Sequence, residues 1–179
     1  MGNQSGLHLW IMRAAYVLIC CAFLIFHLIP IAPSATLAFS PDMILCLTLA
    51  WVARRPEYTP ILLIALIGLL ADLLLSRPPG LWAALILMLS EYIRNRSRRI
   101  RTAGFFWEWV RVSAGIAVIF FANRLALGVL LLDVPPFRAS LMQYAATIAM
   151  YPLLVAVSSV AFRVSYPDIG DTQSDKARA

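Results

Sequence analysis

Between Ile64 and Arg96 two apolar runs are joined by Ser76-Arg77-Pro78-Pro79-Gly80. Two prolines followed by a glycine end a helix and turn the chain. The two runs must therefore fold back on each other. The first holds a carboxylate, Asp72. A lone acid in an apolar span is expensive, and it ordinarily faces the interior and finds a partner. The second run ends in Glu91-Tyr92, followed by Arg94, Arg96, Arg98, Arg99 and Arg101. This pattern predicts a membrane hairpin with a polar group buried near one face and a basic anchor at the other.

Composition extends that reading to the whole chain. Of 179 residues, 61% are hydrophobic and 13% charged, with a mean hydropathy of +0.81. A soluble domain carries about 25% charged residues, so the chain reads as an all-α integral membrane protein made mostly of spans. The net charge of +6 raises nucleic acid as a partner. The arginines sit instead at span ends, where they set topology and meet anionic lipid. Cys20, Cys21 and Cys46 lie in apolar stretches without metal-ligand spacing and read as packing residues.

Six spans are expected: Ala14 to Ile31, Leu37 to Ala53, Ile61 to Leu75, Gly80 to Ile93, Phe105 to Leu132 and Ala139 to Phe162. Residues 1–13 form a leader, 14–163 the membrane domain and 164–179 a polar tail expected to be disordered. Ala32-Pro33-Ser34-Ala35 loosely resembles a signal-peptidase site. The preceding apolar run is too long for a signal peptide, and a span is the preferred reading. With both termini cytoplasmic, eleven Lys and Arg residues fall on the inner side, and only Arg77 and Arg138 on the outer. Arg111 and Arg124 remain within span five. Such an asymmetry favours six helices with the N- and C-termini inside.

Three stretches, taken in order, resemble the MreD family of bacterial rod shape-determining membrane proteins. They are Pro41-Asp42-Met43-Ile44-Leu45, then Arg54-Arg55-Pro56-Glu57-Tyr58, then Gly68-Leu69-Leu70-Ala71-Asp72-Leu73 followed by Gly80 and Glu91-Tyr92. The resemblance covers about Ala14 to Phe162. It implies a non-enzymatic part of the machine that builds lateral peptidoglycan in the bacterial inner membrane. It implies direct association with MreC, and through MreC a link to the cytoskeletal MreB, to RodA and to a class B penicillin-binding transpeptidase. The fold it implies also resembles the six-helix substrate-capture subunits of energy-coupling-factor vitamin transporters. The alternative function follows from that likeness: a small-molecule capture or transport subunit with an outward pocket.

Several residues are candidates for a site. Asp42, Asp72 and Arg124 map to the outer half, with His27, Arg77, Arg138 and Gln143 near them. They are expected to form a buried polar cluster, with Asp72 pairing with Arg124 and Asp42 as the alternative acid. The competing reading is separate residues that snorkel to the interface. Glu108 and Arg111 are three apart, share a helix face and are expected to pair. The arginines from Arg94 to Arg101 form a basic cytoplasmic loop, either a topology anchor or a contact for anionic lipid or MreB. Gly68, Ala122 and Ala145 each begin a small-residue pair one turn long. Such pairs seat either a partner helix or a neighbour in the same bundle. No Ser-His-Asp set, zinc-protease motif or phosphate loop is present in the sequence. The chain is therefore expected to be no enzyme and to hold no cofactor or metal.

Overall fold

In the computed structural model, residues 2–28, 41–102, 105–131 and 134–162 are described, with side chains over 6–28, 41–96, 105–131 and 134–160. Six helices follow in order: α1 (Gly2–Leu28), α2 (Met43–Arg54), α3 (Ile61–Leu74), α4 (Leu81–Thr102), α5 (Phe105–Val129) and α6 (Phe137–Phe162). No strand occurs among the described residues. Successive helices alternate in direction. One end of the bundle therefore gathers the start of α2, α4 and α6 and the close of α1, α3 and α5. We call it the Arg77 end, and its opposite the Arg54 end.

Three helices are long and apolar enough to cross a membrane: Gly6–Leu28, Phe105–Val129 and Phe137–Val160. Helix α4 has 22 residues, and its last turns hold the arginines. Helices α2 and α3 have 12 and 14 residues. At 1.5 Å per residue they reach about 18 and 21 Å, short of the ~30 Å hydrocarbon layer.

The short α2 is the centre of the bundle. It packs on α1, α4 and α6, while α4 also packs on α3 and α5, and α5 on α6. Every residue from Ile44 to Arg54 is buried. A helix buried on all sides has no polar face, so its few polar side chains must be satisfied by neighbouring helices. Tyr16 Oη of α1 lies 2.7 Å from Thr48 Oγ1. Trp51 Nε1 donates to Ser158 Oγ of α6 at 3.3 Å, and the Cys46 thiol donates to the Thr147 carbonyl at 3.2 Å. Cys46 and Cys20 are buried packing residues, as their setting in the sequence predicts.

The observed boundaries differ from the expected ones in three places. Helix α1 starts at Gly2, so its first turns run through the segment expected to be a leader. Helix α2 starts at Met43 rather than Leu37, because Asp42 accepts the Leu45 backbone N–H at 3.0 Å as its N-cap; residues 37–40 lie outside the described residues. The arginines from Arg94 to Arg101 are on α4 itself, not in a loop. Cations in the last turns of a helix are stabilised by its dipole, so the basic run prolongs the helix. The tail from 164 to 179 lies outside the described residues.

Candidate functional site

Asp72 is fully buried and carries the α3–α4 hairpin. Its Oδ2 accepts the backbone N–H of Gly80 at 2.9 Å and of Ala83 at 3.2 Å. These are orphan donors at the start of α4, so Asp72 caps a helix other than its own. The carboxylate also meets the positive end of the α4 dipole. Gly80 holds φ +89, a backbone state that side chains disfavour. Gly68, one turn before Asp72, faces Ala83, and a Cβ there would meet the Ala83 Cβ at 2.9 Å. The spaced glycines and aspartate of the sequence thus close one hairpin.

The expected pairing of Asp72 with Arg124 does not form. Arg124 Nη1 donates to the Pro135 carbonyl at 2.9 Å and to Ser140 Oγ at 3.1 Å. Its guanidinium lies 5.4 Å from the centre of the Phe137 ring. Nor does Asp42 take Arg124. Its carboxylate lies 3.7 Å from Arg77, whose guanidinium also stands 5.3 Å from the Trp82 ring centre. The three residues of the expected cluster are therefore shared among separate contacts. Both acids lie at the Arg77 end and each caps a helix through a single oxygen, Oδ1 of Asp42 and Oδ2 of Asp72, while Asp72 Oδ1 is buried without a hydrogen-bond partner.

Arg77 and Arg124 do share a cavity. It has a volume of about 300 Å³ and is lined by both arginines with Trp82, Asn123, Ser140 and Gln143 among others. A second, more apolar cavity of about 430 Å³ adjoins it. That one is lined in part by Phe23, Phe26, His27, Asp42, Arg77 and Gln143. Arg77 and Gln143 stand on the boundary of both. Asp72 lines neither. Arg138 is exposed at the same end and also lines neither.

At the Arg54 end, Glu108 is fully buried. It turns to Arg54 Nε at 3.5 Å and accepts the Tyr151 hydroxyl at 2.8 Å, rather than reaching to Arg111, which is exposed. Glu108 is in the first turn of α5 and Arg54 in the last turn of α2, so each charge is also favoured by its own helix dipole. Sequence reasoning that looked along one helix missed this pair. Its signal was two opposite charges on the same side of the charge map.

Arg94 serves the fold. Its guanidinium donates to the carbonyls of Pro56, at 3.2 Å, and Thr59 in the α2–α3 connection. Its Nε is 2.9 Å from Glu91 Oε1. Neither atom is aligned for a hydrogen bond, so that contact is a charge attraction only. Arg96 is exposed and lies 5.1 Å from the Tyr92 ring centre. The side chains of Arg98, Arg99 and Arg101 lie outside the described residues.

Of the small-residue pairs, Gly68 is spent on Ala83 within the hairpin. Ala122 is half-buried on α5, and Ala145 and Ala149 are exposed on α6. Among the described residues no group of three His, Cys, Asp or Glu side chains is arranged to hold a metal ion. Comparison with protein-family models, with curated proteins and with solved structures found no match.

Proposed function

We propose that this protein is a non-enzymatic membrane scaffold of the MreD type, acting in lateral peptidoglycan synthesis. In this reading it crosses the bacterial inner membrane six times with both termini cytoplasmic. It binds MreC directly and through it connects MreB, RodA and a class B penicillin-binding transpeptidase. The observation that carries the proposal is the ordered set Pro41-Asp42, Gly68 to Asp72 and Gly80. Each member holds a helix end or a close helix crossing, so the set describes one architecture rather than a chance string of apolar residues. An exposed stripe on α6, from Ala145 and Ala149 to Leu153 and Val157, gives a partner helix a place to pack closely.

The test is Ala145→Leu. Its side chain projects from the bundle, so protein abundance should stay within about twofold of wild type, as for surface changes generally. Co-purification of MreC in mild detergent should fall, and rod-shaped cells should round. Full retention of MreC with normal shape would remove α6 as the partner face. Normal shape after depletion of the whole protein would remove the scaffold role.

One observation favours the second reading, a capture or transport subunit: the paired cavities at the Arg77 end. In the six-span layout that end faces outward. Loss of uptake of one small molecule on depletion, with shape unchanged, would support it over the scaffold.

A further inference from the structure

The geometry points to a binding site for a phosphate-bearing anion in the cavity between Arg77 and Arg124. The site stands on its own lining and depends on neither functional reading above.

Three observations converge on this chemistry. The first is charge. Two guanidinium groups line one cavity. Asp42 offsets one of them at 3.7 Å. Arg124 is held only by neutral acceptors and an aromatic face among the described residues; Asp133 lies outside them. The described lining therefore has an excess positive charge. The second is the company the arginines keep. Asn123, Ser140 and Gln143 add amide and hydroxyl donors around the same space. Guanidinium forks with such donors suit the oxygens of phosphate. The third is shape. The apolar cavity that shares Arg77 and Gln143 has a volume of about 430 Å³ and an apolar lining suited to a hydrocarbon segment, with Phe23, Phe26 and Leu24 on its walls. An anion attached to a chain would place its charge in the first cavity and its chain in the second. A lipid headgroup and a soluble phosphate both offer the anion, and only the lipid uses both cavities.

The positioning of the arginines is built in. The Trp82 ring lies against Arg77, and the Phe137 ring lies against Arg124. Stacking of this kind orients a guanidinium without neutralising it. The Pro135 carbonyl and Ser140 hydroxyl use only Nη1 of Arg124, leaving other donors of its five for a ligand.

The test uses the full-length protein in neutral detergent at low ionic strength. Two probes are titrated by calorimetry: inorganic phosphate and short-chain phosphatidic acid. The wild type should bind the phosphatidic acid. Arg77→Gln and Arg124→Gln should each weaken it about tenfold, the loss typical of a hydrogen-bonded charge. Arg77→Lys and Arg124→Lys should retain most of the affinity. The charge-matched variant Arg138→Gln should bind within twofold of wild type. Phosphatidic acid binding much tighter than phosphate assigns a lipid headgroup; equal affinity for both assigns a soluble anion. A neutral variant that fails to fold is replaced by a measurement on wild type. There, the bound probe should protect Arg77 and Arg124, but not Arg138, from phenylglyoxal. No binding of either probe to wild type overturns the site. So does binding that neither glutamine variant weakens, or protection that spares Arg77 and Arg124.

Discussion

Among the described residues two carboxylates are fully buried, Asp72 and Glu108, and they are held differently. Asp72 uses backbone N–H groups at the head of α4. Glu108 uses a cation and a phenol from two other helices. Removing one half of a buried ion pair leaves a charge without compensation, at a cost of about 3–5 kcal/mol. Arg54→Met and Glu108→Leu should each lower folded yield and melting temperature strongly, while the double variant recovers much of the loss. A double-mutant cycle read by thermal unfolding checks this, and additivity would remove the pair as a coupled unit. The same cycle on Asp72 and Arg124 should be additive, since they do not touch. At this scale the sequence marked Asp72 as buried, but Asp42 and Arg124, expected to be buried with it, are only partly so, and the burial of Arg54 and Glu108 was not foreseen. The Asp72–Arg124 expectation failed because the backbone donors of α4 compete for the carboxylate, and such donors are invisible in a residue string. The Glu108–Arg111 expectation failed because a helix face at the edge of a bundle turns inward, where Tyr151 and Arg54 await it.

Helix boundaries were legible where the sequence marks them chemically. Pro60 precedes α3, Pro-Pro-Gly precedes α4, and both helices begin within a residue of the expected place. The limits of α2 and α4 were not, because the signal lay in capping and dipole effects rather than hydropathy. Asp42 stops α2 from extending backward, and the arginines carry α4 past its apolar run. The hairpin of α3 and α4 also explains why Gly68 is a poor place to probe a partner. Leucine there must displace Ala83, and overpacking of this kind costs about 1–3 kcal/mol or more. Gly68→Leu should reduce the amount of folded protein in the membrane, whereas Ala145→Leu should not. Membrane abundance measured by immunoblot separates the two. Equal abundance would place Gly68 on a free surface instead of against α4.

For the molecule as a whole, membrane character was plain from composition, and three helices are long and apolar enough to cross. Six crossings rest on charge asymmetry and on the alternation of helix direction, with α2 and α3 too short to cross alone. Reporter fusions decide it. After Pro56, Ser97 and Asp171 they should read as cytoplasmic, and at Ser34, Pro78 and Pro135 as periplasmic. A periplasmic signal at Ser97 would reverse the layout and move the two-arginine cavity to the cytoplasmic face. The short central α2 has a further consequence, for biogenesis. It is synthesised well before α6, the helix that receives Trp51 and Cys46. Until α6 leaves the ribosome, α2 lacks the wall that α6 supplies. The nascent bundle is therefore held in a provisional state until α6 is made, and the centre of the fold takes its fixed shape only then.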